Sequence, residues 1–528
     1  MRTIFSRKET AYFFAILLIG LILRVALFAG LQGSDDLQYI EGAHQFLSGG
    51  FAAVPDDLTK TRLLLYLPVS LCFALFGVNE ISAALYPLAC SIGLMVLVYR
   101  LGILLFGPKP ALMAMALYAL FPIEVIHATM LYPELPMGLF MGLAVYFYLA
   151  YLKDEVQGRT TGLWLAGAFV ACAYLVKITA LLLLGVFFVY FLIYQQRRLR
   201  IGYMILGFVL VLLAEALFYL SQTGDFFFQY HLLQSIAQRA NETIVTSAQT
   251  IYQGRFTGWY RALVYYPGVM LATPFTFSLY YHCAIPAIAY LLWSRKRETY
   301  PLLIWLVILF LGLNFGIQGF NPIVFIPAAP RYLMVLSAPL VLLLSYAFNQ
   351  ITTTPWKVAA TAMIIALLLV SGWALKLQFE HGVPQTCSNV RALYHRLQGE
   401  TQPIYVDART GRELSFLNGY KDTLQLRMYG PETSLTDLSS ISKAYVIINR
   451  QWINRVELWF ALEFPVEVST PPAHWELIQS FENPFRELNV GIIAALKSLV
   501  GMQSNAAAQT LAREQDSNAY IYYVPAMP

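Results

Sequence analysis

Two adjacent carboxylates, Asp35 and Asp36, stand in the stretch Gly33-Ser34-Asp35-Asp36-Leu37-Gln38-Tyr39, directly after the first long apolar run of this 528-residue chain. Neighbouring residues in a helix or strand point different ways, so only one of the two serves a given atom as base or ligand. Ser34, Asp35 and Asp36 are all good N-cap types for the helical pattern that continues through Ile40 to Leu47, and a cap role for one leaves the other aimed at a cavity. A third acid, Glu134, lies in Tyr132-Pro133-Glu134-Leu135-Pro136 at the start of another apolar run. It either favours the helix N-terminus it begins or assists a base. Three carboxylates also suit a hard divalent cation. Two adjacent acids plus a distant one do not define such a site, so a metal stays open.

A phosphate calls for cations. Arg331-Tyr332 follows Pro327-Ala328-Ala329-Pro330 at the head of an apolar run, Lys177 interrupts another, and Arg62 precedes a third. Arginine can grip a phosphate with two N–H groups while lysine supplies a point charge. Arg24, Glu124, Lys177 and Glu215 are ionisable residues inside or between apolar segments, where charge is expensive and usually faces a bundle interior. Each also has a plain reading. Arg24 either snorkels to the interface or supports the acidic pair. Lys177 is either a loop lysine or a cavity cation. Glu124 and Glu215 read first as structural partners of basic residues.

The elements that must position these groups are mostly membrane helices. The chain is 58% hydrophobic and only 12% charged, about half the charge of an average soluble domain. Spans need about 20 mostly apolar residues, and roughly eleven segments qualify. They are 11–31, 81–106, 111–130, 134–152, 162–176, 178–194, 201–220, 268–293, 300–317, 331–348 and 357–375, the fifth and sixth being short and broken at Lys177. The first follows basic residues without a small-x-small cleavage pattern and reads as a retained helix. Leu63 to Phe76 suits an interfacial or re-entrant helix. Cys72, Cys90, Cys172, Cys283 and Cys387 show no disulfide or metal spacing,.

Alternate loops hold Arg2, Arg7, Lys8, Arg100, Lys109, Lys153, Arg159, Arg197, Arg198, Arg200, Arg295, Lys296, Arg297 and Lys357 on one side. By the positive-inside rule that side is cytoplasmic. Residues 32–79, 132–135, 222–267, 318–330 and everything after 375 then lie outside, so the acids and the candidate phosphate cations share one face. Residues 1–375 read as a membrane domain with outer-loop helices in 32–79 and 222–267. Residues 376–528 read as a soluble extracytoplasmic α/β domain, with strands at 403–406, 444–449 and 519–524, a helix at 389–397 and a loosely amphipathic segment at 492–513. Phe226, Tyr230, Trp259 and Tyr260 in the long outer loop read as interfacial aromatics before sugar-stacking ones.

The ordered set Asp35-Asp36-x-x-Tyr39, the Arg62 to Gly77 segment with its Leu75-Phe76-Gly77-Val78-Asn79-Glu80 end, Tyr132-Pro133-Glu134, the short span ending in Lys177, and Arg331-Tyr332 resembles the protein O-mannosyltransferase superfamily. This is the GT-C group of glycosyltransferase family 39 and its relatives, among them the lipid A aminoarabinose transferase. The resemblance covers about Tyr12 to Leu375. It implies a GT-C membrane fold and transfer of a sugar from a polyprenyl-phosphate donor to an extracytoplasmic lipid, glycan or protein in a bacterial inner or plasma membrane. It implies Asp35 or Asp36 as general base, Glu134 as second acid, and Lys177 and Arg331 at the donor phosphate; Arg62 and Tyr332 join these two as candidate phosphate contacts by their place on the same face. Tyr39, Arg24 and Glu124 stand as support. Family members with Asp-Glu differ from the Asp-Asp here, which leaves the choice of base open. A lipid-linked oligosaccharide flippase or transporter, or a surface polysaccharide polymerase or ligase, would share the location. A transporter would more naturally place its charges near the midplane.

Overall fold

In the computed structural model the described residues are 7–153, 160–194, 200–247, 259–320, 323–325, 329–351, 354–431, 433, 435, 437–454, 464–486, 488 and 517–526. The expected segment 492–513 and residues 248–258 of the long loop lie outside them. Among the described residues seven helices are long and apolar enough to cross a membrane, or eight with one bent pair. They begin with α1 (Arg7–Ala26). Between it and the next span come α2 (Asp35–Gly49) and α3 (Leu63–Phe76), the latter on the residues expected to form a short interfacial or re-entrant helix.

Helix α4 (Glu80–Phe106) starts at a capping box, in which Asn79 accepts from Ser82 N–H while its own N–H reaches the Ser82 hydroxyl,. The expected span 111–130 is bent by 61° between α5 (Pro108–Ala119) and α6 (Pro122–Ile126). Pro122 lacks an N–H to continue the ladder, and its ring excludes the helical backbone before it. Helix α7 (Glu134–Lys153) is followed by α8 (Thr161–Val176), which ends at Lys177 because that residue is extended, with φ −160° and ψ 129°. A short turn then leads to α9 (Leu182–Tyr194). Helix α10 (Ile201–Thr223) lies against α8 through Gly167 and Gly207. A Cβ at either glycine would run into the other helix's backbone, the small-residue contact that lets membrane helices approach.

Segment 268–293 is not one span. Proline and an off-helix Ser278 divide it into α11 (Trp259–Ala272), a turn at Pro274–Phe277, and α12 (Tyr280–Trp293). Two spans follow, Arg297–Phe315 and Pro330–Gln350. The last apolar helix runs from Thr354 to His381, past residue 375. Many side chains point out of the bundle, among them Leu18, Ile22, Ile205, Leu217 and Leu369. They are the lipid-facing surface of an integral membrane protein.

Beyond that helix, β3 (Ile404–Asp407), β4 (Leu426–Tyr429), β5 (Ala444–Asn449), β6 (Glu476–Phe481) and β7 (Ala519–Val524) form a sheet in the order β4-β3-β5-β7-β6. β1 (Ile317–Phe320) and β2 (Ile323–Phe325) make a separate hairpin. In the larger sheet β3 runs parallel to β4 and β5, and β7 antiparallel to β5 and β6. Helices Ser388–Leu397 and Ala408–Leu417 carry its contacts to the membrane part. Arg412 pairs with Glu41 of α2, and His44 stacks on Tyr420 with centroids 4.2 Å apart.

Candidate active site

The end of the bundle that meets this domain gathers most of the candidate residues. The loop before α2 folds back on itself, and the Asp36 carboxylate accepts from Gln32 N–H and Ser34 N–H, both at 2.7 Å. Asp36 is 1% exposed, and burial raises its carboxyl above the usual range against the pull of those two bonds,. Ser34 occupies the cap position without a side-chain bond. Asp35 projects the other way: its side chain is 46% exposed and accepts from Arg331 Nη2 at 2.6 Å. One acid therefore fastens the loop and its neighbour stays half exposed against Arg331.

Arg331 enters from the start of its span and links two acids. Its Nε lies 3.8 Å from Glu134 Oε1, and its guanidinium sits 4.4 Å over the Tyr132 ring. Glu134, at the first turn of α7 and 2% exposed, accepts from Lys177 Nζ at 2.8 Å. Lys177 can reach it because the extended backbone between α8 and the next turn releases the side chain from the helix surface. Its ammonium also lies 3.8 Å from the centroid of Tyr332, a desolvated cation–π contact. Glu134 Oε2 and Arg331 Nε have no hydrogen-bond partner. Buried polar atoms left so are costly unless a ligand or water meets them.

Arg62 completes the cluster. It bonds to the Tyr39 hydroxyl and lies 5.2 Å over that ring. Burial lowers its pKa, opposed by the charges of Glu134 and Asp35. Arg62, Lys177 and Arg331 against Asp35 and Glu134 leave one positive charge, which suits a singly charged anion. The same set does not fit a divalent cation, because each carboxylate already faces a cation. Among the described residues no three His, Cys, Asp or Glu come together as a metal site.

Arg24 and Glu124 do not join this group. Arg24 is fully buried and donates to Ser91 Oγ at 2.7 Å and to the carbonyls of Gly20 and Ala119. It does not snorkel, because these acceptors hold it inside the bundle. Glu124 accepts from Tyr118 at 2.7 Å, and Tyr118 also lies under Arg24. The three form a separate buried cluster. Glu215 is buried on α10 and, with the Gln229 amide turned to satisfy it, faces Gln229 beside Tyr174. Tyr132, quoted above only as part of the Tyr132-Pro133-Glu134 pattern and given no role there, is the ring beneath Arg331. The signal was there in an aromatic one residue from Pro133-Glu134.

Residues 63–219 match the family described as dolichyl-phosphate-mannose-protein mannosyltransferase. No protein of curated function matches the chain by sequence at a significant level. In fold the chain is similar to ArnT from Cupriavidus metallidurans in the apo state, with TM-score 0.58 and 15% identity over 89% of this chain and 96% of that one. It is also similar to the same protein bound to undecaprenyl phosphate, with TM-score 0.56 and 14% identity over 86% and 95%. The Archaeoglobus fulgidus oligosaccharyltransferase in its apo form gives TM-score 0.55 and 12% identity over 90% of this chain and 73% of that one. Residues 63–219 thus carry the pattern of that mannosyltransferase family, and the chain as a whole shares the fold of these membrane proteins.

Proposed function

We propose that the chain moves a hexosyl or pentosyl group from a polyprenyl-phosphate carrier to an acceptor hydroxyl on the extracytoplasmic side of a bacterial inner membrane. The observation that carries this reading is Arg331, which bonds to Asp35 while lying against the buried Glu134–Lys177 pair. A sugar phosphodiester carries one negative charge, matching the single positive excess of the cluster. The structure of the similar ArnT with undecaprenyl phosphate supports a carrier of this class. The distribution of Lys and Arg among the loops supports the sidedness.

In the reaction the acceptor oxygen attacks the anomeric carbon and its proton passes to Asp35. The bond from the anomeric carbon to the phosphate oxygen breaks and its electron pair stays on the phosphate. Arg331, Lys177 and Arg62 meet the added negative charge, replacing a general acid. A single displacement inverts the anomeric centre. No step is routed through a metal, because the donor set does not fit one. The test is sugar transfer by the purified protein in lipid nanodiscs, with isotopically labelled polyprenyl-phosphate sugars and envelope glycolipids as acceptors. Release of free polyprenyl phosphate with label on the acceptor supports the reading. Movement of intact donor across the bilayer without label transfer overturns it in favour of a transporter.

A further inference from the structure

The acidic loop is built by two domains. Residues Leu27 to Ser34 connect α1 to α2, and both backbone polar groups of Ala29, Leu31 and Gln32 are held by something outside the loop or by Asp36, while the Gln32 side chain donates to the Gly30 carbonyl. Ala29 N–H donates to Thr129 Oγ1 at 2.9 Å, and Leu31 N–H to Glu80 Oε1 at 3.0 Å. Arg391, from the soluble domain's helix Ser388–Leu397, donates to the carbonyls of Ala29 at 2.8 Å and Leu31 at 3.2 Å. It also grips both oxygens of Glu80, with Nε at 3.1 Å from each and Nη2 at 2.9 Å from Oε1. Arg409 reaches the Gln32 carbonyl at 3.3 Å.

The loop is tight as well as tethered. Gly30 and Gly33 have φ of +59° and +63°, in the left-handed region that glycine favours,. A Cβ on Gly30 would meet Glu80 Oε1 at 2.7 Å, and one on Gly33 would collide with the Glu413 carboxylate of the soluble domain. Glu80 sits at the first turn of α4, where the helix N-terminus favours its charge,. The backbone therefore threads a slot whose walls are α4 on one side and the soluble domain on the other. Its next polar contacts are those of Asp36, and the residue between Ser34 and Asp36 is Asp35.

We propose that Arg391 is a positioning residue for the transfer reaction: by locking Glu80 and the carbonyls of Ala29 and Leu31 in one fork, the soluble domain sets where Asp35 stands against Arg331. This rests on the function proposed above. The soluble domain is then part of the catalytic geometry and not only an acceptor platform. Arg412 provides the control, since its pairing with Glu41 docks the same domain on α2 at a residue outside the loop.

The experiment compares R391A, R391K, E80Q and R412A with the unaltered full chain in nanodiscs, by steady-state kinetics and by amide hydrogen exchange over residues 29–36. The expected result is a kcat lower by ~10–100-fold in R391A, the size of effect a misplacement of about 1 Å produces. Donor KM stays within about 2-fold of the parent, and Gln32 and Ser34 amides exchange faster. R391K cannot form the fork and falls with R391A, E80Q falls less, and R412A keeps the parent kcat and the parent exchange. Because Arg391 acts through Asp35, R391A added to D35N gives no further loss. Equal losses in R391A and R412A would overturn the proposal, showing mere docking, and so would an undiminished effect of R391A in D35N. If the unaltered protein transfers no sugar, the functional reading fails on that arm alone. Unchanged amide exchange in R391A would sink the positioning role by itself.

Discussion

Replacing each of the paired acids by its amide should separate the two roles that the structure divides between them. Asp35 is nearly half exposed and its partner Arg331 is 22% exposed; such pairs contribute about 0–1 kcal/mol to stability. D35N should therefore melt like the parent. Loss of a general base costs roughly 10²–10⁴ in rate, so its kcat should fall by that much while the carrier still binds. Asp36 is buried and takes two backbone N–H bonds at 2.7 Å. An asparagine keeps one acceptor oxygen and turns an NH₂ toward the other donor, so D36N loses about 1.5–3 kcal/mol with the charge-assisted bond. In a chain of this size that is a drop of a few degrees at most in the melting temperature, accompanied by a partial fall in kcat as the loop loosens. Differential scanning fluorimetry in detergent and single-turnover transfer of labelled sugar measure the two effects. Parent-like kcat in D35N, or an inactive D36N with parent-like melting, would refute this division.

Removing Lys177 strands a buried carboxylate, which typically costs ~3–5 kcal/mol. Arg331 at 3.8 Å from Glu134 keeps K177A at the lower end. The double variant K177A/E134Q should recover most of the melting temperature but not the donor KM; recovery of both would show that the pair serves the fold alone. R331K keeps a charge but loses the fork and the stacking over Tyr132, so kcat/KM should drop by ~10–100-fold, or about 1.4–2.7 kcal/mol, measured with varied donor. Stability should also carry a pH signature from Glu413, whose carboxyl burial pushes up to about 7, with Asp407 and Asp36 adding to the rise and Arg409 opposing it. A carboxyl raised on folding stabilises fully below its unfolded value of 4.5 and loses that contribution as pH climbs through the folded value. Relative to E413Q, the parent's melting temperature should fall between about pH 5 and pH 8; parallel profiles would remove Glu413 as the cause.

Much of the membrane part was legible because bilayer burial writes itself into long apolar runs. The short helix Leu63–Phe76 and the helix break at Lys177 appeared where the residues put them. The continuous segments 111–130 and 268–293 were misleading, because hydropathy does not register that Pro122 and Pro274 break a helical ladder,. In the site, acids and cations could be assigned to one face by the alternation of loops. Their pairing could not. The choice between Arg331–Asp35 and Arg331–Glu134 depends on side-chain reach across three separate elements. Arg24 and Glu124 looked like site residues for the same reason: a charge in an apolar run has no depth until the helices are packed. The hold of Arg391 on Glu80 joins residues 311 apart, and no local pattern announces it.

The pairing of Asp35 with Arg331 gives the site an internal order. Asp35 accepts from Arg331 Nη2 at 2.6 Å, a short charge-assisted bond,. Arg331 is also the group best placed to meet a phosphate, having an unpartnered buried Nε and the neighbouring Lys177–Glu134 pair behind it. Both acceptors compete for one fork. On the function proposed above, a donor phosphate that takes Arg331 frees the Asp35 carboxylate to accept a bond from the acceptor hydroxyl. Glu134 cannot substitute as base, because it is buried and bound to Lys177. The carboxylate that can change partners is the exposed one, and its position is set by a loop that Asp36 ties from within and the C-terminal sheet domain grips from outside.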